Sequence, residues 1–173
     1  IMYEGLPIRP DAAIWWSLVE KYKVTVMFSA PTAVRVLKKQ DPAALSRHDL
    51  SSLRALFLAG ERCDPDTLLW AEAQLGVPVI DHWWQTETGS PVSQNPAGLG
   101  LLPVKYGSPG VAMPGYEIHV LDDAGHELPA GTLGNVVIKL PLPPGCLPTL
   151  WNADDRFREA YLDEFPGYYK TAD

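Results

Sequence analysis

The chain is poor in the residues that mark metal clusters, disulfide scaffolds and nucleic-acid surfaces. Its two cysteines, Cys63 and Cys146, lie far apart and form no Cys-x-x-Cys or Cys/His cluster. This argues against a zinc site and a disulfide framework, and favours the reducing environment of the cytoplasm. Lysine and arginine form no run and the formal net charge is −7, so neither a nucleic acid nor an anionic membrane is an expected partner.

Long apolar runs are also missing. No stretch approaches the roughly 18 apolar residues of a membrane-spanning helix, and the first residues lack the basic and apolar regions of a signal peptide. The chain begins at Ile1 and stops at Asp173, directly after Tyr-Tyr-Lys-Thr-Ala. We therefore expect 173 residues cut from a longer protein, enough for one sizeable core or two small ones.

Residues 1–95 alternate between short apolar runs and segments of helical periodicity. The runs at 24–28, 55–59 and 77–80 have the length and composition of buried strands. The order strand, helix, strand, helix, strand predicts the parallel α/β part of a larger domain. Helix caps support this order: Asp11 for the first helix, Ser29 or Thr32 for the second, and Asp64 with Pro65 for the third, which Gly76 ends.

Residues 96–173 have a different composition, rich in glycine, proline and short alternating runs. The period-two run 116–121, the turn 122–125 and the run 135–140 predict two strands joined by a hairpin. A short helix is expected at 154–165. The predicted fold is therefore α/β, with a parallel βαβ portion followed by a small antiparallel β portion or partial barrel.

A chemically dense decapeptide, residues 81–90, follows the third predicted strand. Its tryptophans, amide, hydroxyls and carboxylates lie where ligands of open parallel sheets collect, at a strand carboxyl end. Segments 29–32 and 60–62 leave the other two strands on the same side. Gly60 permits close backbone approach, and Glu87 is a candidate ligand for a hard cation. The alternative interpretation of the decapeptide is a Trp-rich turn in the core.

The run 83–89, Trp-Trp-Gln-Thr-Glu-Thr-Gly, resembles the signature of the short-chain acyl-CoA synthetases of the adenylate-forming superfamily. The resemblance extends to Tyr-Glu-Gly at 3–5, Ala-Pro-Thr-Ala at 30–33, Gly-Glu at 60–61 and Tyr-Lys-Thr-Ala-Asp at 169–173. It is closer to the propionate–CoA ligases than to the acetate–CoA ligases. The Trp-Trp-Gln-Thr-Glu-Thr run is its specific part.

This resemblance implies a ligase that activates a short-chain carboxylate, propionate first and acetate next. The carboxylate attacks the α-phosphate of Mg-ATP to give acyl-adenylate and pyrophosphate, and the thiol of CoA then displaces AMP. ATP, Mg²⁺ and CoA are the implied cofactor and co-substrates.

The resemblance also implies roles for particular residues. Thr86 and Glu87 would be catalytic, with Thr86 bonding the α-phosphate and Glu87 holding Mg²⁺. Trp84 would floor the acyl pocket with Ala59 beside it, and Ala30 would lie near the CoA channel. The nucleotide would be bound by Gly60, Glu61, Arg62, Asp81, His82, Trp83, Trp84, Gln85 and Thr86, with Asp173 accepting from the ribose hydroxyls.

The chain departs from the family pattern at two positions and lacks two of its parts. Ala172 stands where the family commonly has glycine, and Arg62 where it usually has proline. No phosphate loop precedes Ile1, and no C-terminal domain with its catalytic lysine follows Asp173. We therefore expect a middle piece of the large N-terminal domain, which depends on the rest of the parent chain and is inactive alone.

Two other functions fit the residues. A non-catalytic, aromatic-lined binding module would stack Trp83 and Trp84 on a sugar or peptide, and would need neither Thr86 nor Glu87. Another adenylating enzyme, such as a peptide-synthetase adenylation domain, usually carries a small residue where Trp84 stands.

Overall fold

The computed structural model describes all 173 residues and divides them into two compact units. Unit 1 comprises Ile1–Trp83 and Gln94–Gly110, and unit 2 comprises Trp84–Ser93 and Val111–Asp173. The α/β prediction is confirmed, since parallel strands precede a separate antiparallel sheet. The domain boundary expected near residue 95 stays a prediction.

Unit 1 contains three parallel strands connected by helices. Its central strand, β2, pairs with β1 on one side and with β3 on the other. The register aligns Ser29 with Leu58, and Leu58 with Asp81. The elements are α1 (Ile14–Tyr22), β1 (Val26–Ser29), α2 (Pro31–Lys38), α3 (Ala43–Ser46), β2 (Ala55–Leu58), α4 (Pro65–Leu75) and β3 (Val79–Trp83).

The core of unit 1 lies between the strands and the helices that connect them. Leu58 and Leu68 are almost completely buried and belong to one cluster with Val34 of α2. Trp16 of α1 and Leu37 of α2 belong to a second cluster. Helices α1, α2 and α4 therefore all contribute apolar side chains to the interior.

The sequence correctly predicted the limits of α4 and a strand at the position of β1, whereas it was wrong about the burial of that strand and about two helix caps. Val26 and Phe28 lie on the same face of the edge strand β1 and are 53% and 60% exposed, so the core does not cover this face. The N-cap of α2 is Ala30, without a side-chain bond, so neither Ser29 nor Thr32 caps it. Asp11 bonds the N–H of Ala13, and α1 begins one residue after Ala13.

Unit 2 contains a three-stranded antiparallel sheet with the order β6-β7-β8. Its elements are β6 (Ile118–Leu121), β7 (Asn135–Lys139), α5 (Asp154–Tyr161) and β8 (Tyr168–Lys170). Leu121, Val137 and Phe165 form its buried cluster. The two-residue strands β4 (Ser93–Gln94) and β5 (Val111–Ala112) lie where the chain passes from one unit to the other.

Helix α5 is shorter than the sequence predicted. It ends at Tyr161, four residues before Phe165. Pro166 disfavours the helical conformation at Phe165, whose ring is buried in the cluster of unit 2. Strand β8, which follows, was not predicted as a strand. Among all the helices, none is both long and apolar enough to cross a bilayer.

Candidate functional site

The carboxyl edge of the parallel strands carries five of the candidate residues in unit 1. Ala30 follows β1 directly, and Ala59 follows β2 and donates its N–H to the carbonyl of Ser29 at 3.1 Å. Strand β3 continues through Asp81 and His82 to Trp83. The strand predicted at 77–80 therefore ends three residues later than expected, and Asp81 still pairs with Leu58.

His82 is a buried residue with a fixed ring. Its Nδ1 lies 2.7 Å from the carbonyl oxygen of Leu58 and donates to it in the neutral form. Phe28 and Phe57 contact the ring edge-to-face, with centroids 5.6 and 5.8 Å away. Burial lowers the pKa of His82, so the ring is neutral near pH 7. It shapes this edge of the sheet without adding charge.

Asp81 is a carboxyl group in a poorly solvated position. Burial raises its pKa to about 6, against a smaller opposing effect of a backbone hydrogen bond. Burial, reinforced by the charge of Asp81, also raises the pKa of the Cys63 thiol to about 12. Cys63 is therefore an inert core thiol, whereas Asp81 has the perturbed pKa that is common at functional sites.

Glu61 is engaged by neighbouring residues of its own unit. Its carboxylate accepts from the Thr32 N–H at 2.6 Å and from the Arg35 guanidinium at 2.6 Å. A hydrogen bond with the Thr32 side chain is the largest cause that lowers the pKa of Glu61, and the bond with the Thr32 N–H is a smaller one. Arg35 also reaches Asp64 at 2.9 Å. With its carboxylate so occupied, Glu61 offers a ligand mainly its backbone.

Gly60 and Arg62 lie on either side of Glu61, and both are exposed. Gly60 has φ +96°, a left-handed conformation that side chains rarely adopt, and the space beside it is open. A flat ligand can therefore approach this backbone closely.

In unit 2, the residues from Trp84 to Thr88 form a tight turn. The hydroxyl of the completely buried Thr88 accepts from the Gln85 N–H at 3.0 Å and donates to the Gln85 carbonyl at 2.9 Å. The Leu147 N–H donates to the Glu87 carbonyl at 2.6 Å. Thr86 is exposed at this turn, Glu87 is half-exposed, and Trp84 is half-buried.

The structure brings Gln85 and Asp173 together from opposite ends of unit 2. The Gln85 Nε2 donates to Asp173 Oδ2 at 2.8 Å and to the Thr171 carbonyl at 2.6 Å. Ala172, which stands where the family commonly has glycine, has φ +64° and therefore a left-handed backbone conformation. A side chain costs about 1–2 kcal/mol in this conformation. The peptide is nonetheless anchored, since the Val136 N–H donates to the Asp173 carbonyl at 3.1 Å.

Two tyrosines that the sequence analysis did not identify contact this turn. The Tyr161 hydroxyl donates to Glu87 Oε1 at 2.9 Å, and the Tyr169 hydroxyl donates to Gln85 Oε1 at 3.0 Å. Tyr169 lay within the recognised run 169–173, but nothing in that run indicated its partner. Tyr161 follows Phe157 by one helical turn, a spacing equally typical of a core face.

No group of three or more His, Cys, Asp or Glu side chains converges on a possible metal position. Glu87 is thus the single carboxylate of the turn. A cation there would need further ligands from a substrate or from water.

The chain is similar to known proteins over its whole length. The family model of AMP-binding enzymes matches residues 1–143. The chain is 50% identical to propionate–CoA ligase of Escherichia coli over 167 residues, which are 95% of this chain and 26% of that protein. It is 45% identical to the human mitochondrial acyl-CoA synthetase short-chain family member 3, over the whole chain and 26% of the relative.

A solved structure shows the same fold. The crystal structure of the anthranilate CoA ligase AuaEII in complex with anthranoyl-AMP matches with a TM-score of 0.81 and 26% identity, over 98% of this chain and 30% of that one. The chain therefore spans between a quarter and a third of the proteins it resembles.

Proposed function

This chain belongs to the family of AMP-binding enzymes, and from that premise we propose that its parent protein is a short-chain acyl-CoA ligase. In this reaction a carboxylate attacks the α-phosphate of ATP and displaces pyrophosphate. The thiol of CoA then attacks the acyl carbon and releases AMP. The relatives named for propionate and for short-chain acids support the substrate class.

The observation that carries this proposal is the turn from Trp84 to Thr88. Hydrogen bonds of Thr88 and Gln85 fix its backbone, while the Thr86 hydroxyl is exposed. A preorganised hydroxyl donor can stabilise charge that develops on a phosphate oxygen. We assign this task to Thr86, with Glu87 beside it as the second catalytic residue.

The residues present fit Mg²⁺. Mg²⁺ is usually held by one or two carboxylates together with substrate phosphates and water, and Glu87 supplies one carboxylate of this kind. Only its Oε1 accepts a side-chain hydrogen bond, from Tyr161, so Oε2 is available to a cation. Bound Mg²⁺ would neutralise phosphate charge, and the part of this chain is to hold it through Glu87.

We assign the nucleotide to the residues that the family resemblance implies. The open backbone at Gly60 suits a flat adenine, and the Asp173 carboxylate suits the ribose hydroxyls, since it accepts hydrogen bonds. Ala30, after β1, is the proposed neighbour of the CoA channel. The other proposed nucleotide-binding residues are Glu61, Arg62, Asp81, His82, Trp83, Trp84, Gln85 and Thr86.

The proposed acid is propionate, with acetate next. An indole at Trp84 limits the length of the acyl group, and the small side chain of Ala59 leaves room for one more methylene than acetate has. Discrimination by one methylene amounts to about 10- to 200-fold. The anthranilate CoA ligase is bound to an aromatic acyl-adenylate, so the same fold also accommodates a larger acid.

The test is the chain-length profile of the full-length parent. We expect kcat/KM for propionate to exceed that for acetate by about 10-fold or more, with hexanoate rejected. Ala59→Val should shift the preference towards acetate by overfilling the pocket, and Trp84→Gly should admit acids of four to six carbons.

Trp151→Gly is the matched control, because this indole is 92% exposed. Its removal should leave the profile unchanged. If Trp84→Gly also leaves the profile unchanged, Trp84 does not bound the acyl pocket, and it is a core residue instead.

A further inference from the structure

Two tyrosines of unit 2, called the tyrosine pair below, form a stacked platform beneath the turn from Trp84 to Thr88. Tyr161 ends α5 and Tyr169 lies in β8. Their rings are parallel within 8°, with centroids 5.5 Å apart, and the ring of Phe157 packs against Tyr161 at 5.4 Å. Tyr169 is only 1% exposed. The platform is therefore rigid and belongs to the core of its unit.

Each hydroxyl of the tyrosine pair bonds a different side chain of the turn. Tyr161 donates to Glu87 Oε1 at 2.9 Å, and Tyr169 donates to Gln85 Oε1 at 3.0 Å. Glu87 and Gln85 are two residues apart, so one platform fixes two neighbouring functional side chains.

The bond from Tyr169 determines which way the Gln85 amide points. Since the hydroxyl donates to the amide oxygen, the amide nitrogen must face the other way. There it donates to the Thr171 carbonyl and to Asp173 Oδ2, at 2.6 and 2.8 Å. Tyr169 thus orients the carboxylate of Asp173 through the amide of Gln85.

The bond from Tyr161 holds the Glu87 carboxylate without neutralising it. A hydroxyl is an uncharged donor, so Glu87 keeps its negative charge while one oxygen is fixed in place. A lysine or arginine in the same position would instead compete with a cation for that charge. The arrangement suits a carboxylate that must receive a metal ion.

Both hydroxyls stay protonated at working pH. An ordinary tyrosine hydroxyl has a pKa near 10, and burial raises the pKa of Tyr169 further. Each tyrosine therefore remains a hydrogen-bond donor over the whole neutral range.

We propose that the tyrosine pair consists of two positioning residues with separate duties: Tyr161 orients Glu87 for the cation, and Tyr169 orients Gln85 and Asp173 for the nucleotide. This assignment rests on the proposed function, because it deepens the roles given there to Glu87 and Asp173. Its consequence is specific, since loss of each hydroxyl should weaken a different ligand.

The first test is binding by the full-length parent with phenylalanine at each position, which keeps the rings. Tyr161→Phe should weaken Mn²⁺ binding by about 10-fold. EPR measures this binding in the presence of a non-cleavable ATP analogue. The dissociation constant of this variant for AMP, measured by calorimetry without metal, should be unchanged. Tyr169→Phe should show the reverse, with AMP binding weakened by about 10-fold and Mn²⁺ binding retained.

Tyr168→Phe is the matched control. Tyr168 is the neighbour of Tyr169 in β8, but its ring packs edge-to-face on His119 at 5.4 Å. Removing its hydroxyl should change neither ligand. If both Tyr161→Phe and Tyr169→Phe match this control, the positioning assignment is overturned.

A purely structural role predicts a different pattern. In that case either substitution would lower the melting temperature and weaken Mn²⁺ and AMP alike, and this result would also overturn the assignment. Glu87→Gln separates the two proposals, because the proposed function requires it to slow acyl-adenylate formation by about 100-fold or more. If Glu87→Gln is slow while the two tyrosine variants are unimpaired, only the positioning role is refuted. If Glu87→Gln is fully active, both the positioning role and the proposed function are refuted.

Discussion

At the scale of single residues, Asp81 shows how a half-buried carboxyl group opposes stability. It lies in β3, where burial raises its pKa to about 6. Above that pH the folded protein carries a poorly solvated charge that the unfolded chain solvates fully. Because the folded pKa exceeds the unfolded value near 4, stability falls as the pH rises from about 4 to about 6.

Asp81→Asn should therefore stabilise the free parent protein at neutral pH. The amide has the same shape and no charge, so we expect a gain of roughly 1–3 kcal/mol at pH 7.5, nearer the lower end since the residue is only half-buried. The gain should shrink markedly at pH 4.5, where the folded carboxyl group is already neutral. Thermal melting at the two pH values measures it, and an equal gain at both would show that burial does not disfavour the charge of Asp81.

The sequence predicted the members of the turn but not the contacts that hold it. The spacing of Gln85, Thr86 and Glu87 was visible as one polar run after a strand, and a strand end is where ligands collect. The bond from Tyr161 to Glu87 joins residues 74 positions apart. Such a contact depends on the packing of α5 against β8, which has no local signal in the sequence.

At the scale of elements, helix α4 is the best defined by local chemistry. The Asp64 side chain accepts from the Thr67 N–H at 2.9 Å, Pro65 occupies the first turn, and Gly76 ends the helix with φ +64°. Arg35 of α2 reaches the same carboxylate at 2.9 Å. The Thr67 hydroxyl also donates to Asp64 at 2.8 Å, and this side-chain bond is the largest cause that lowers the pKa of Asp64, to about 2. Because the folded pKa of Asp64 is lower than the unfolded value, its ionised carboxylate stabilises the folded protein above pH 4, and this stabilisation is lost as the pH falls towards 2.

Asp64→Ala should destabilise the first turn of α4 by about 1–2 kcal/mol at pH 7, because the N-cap acceptor is lost. Amide hydrogen exchange of the α4 residues in the full-length parent measures this local opening. Asp64→Asn is the matched control. It keeps an acceptor oxygen for the Thr67 N–H, and it loses the Oδ2 that accepts from the Thr67 hydroxyl and forms the ion pair with Arg35, a pair worth about 0–1 kcal/mol. If both substitutions have the same effect, the interactions of Oδ2 rather than the cap stabilise the helix.

The same comparison explains which elements could be predicted from sequence. Helix α4 carries its start and stop signals within its own residues. Strand β1 has the apolar composition of a buried strand, yet its burial depends on neighbours that local composition does not specify. Strand β8 is only three residues long and pairs with β7 through tertiary folding, so its pattern is too short to recognise.

At the scale of the whole molecule, the recognised motif crosses the division between the two units. Asp81, His82 and Trp83 belong to unit 1, whereas Trp84 and the residues of the turn belong to unit 2. The chain also spans only about a quarter of the length of its curated relatives. Residues outside it are accordingly expected to contribute to the reaction.

The most direct measurement of the central claim is ATP–pyrophosphate exchange that depends on a carboxylate. It reports acyl-adenylate formation alone, before CoA is needed. We predict that the full-length parent exchanges pyrophosphate rapidly with propionate, more slowly with acetate and not with hexanoate. The 173-residue chain by itself should show no exchange. Absence of propionate-dependent exchange in a folded, ATP-binding parent would contradict the assignment as a short-chain acyl-CoA ligase.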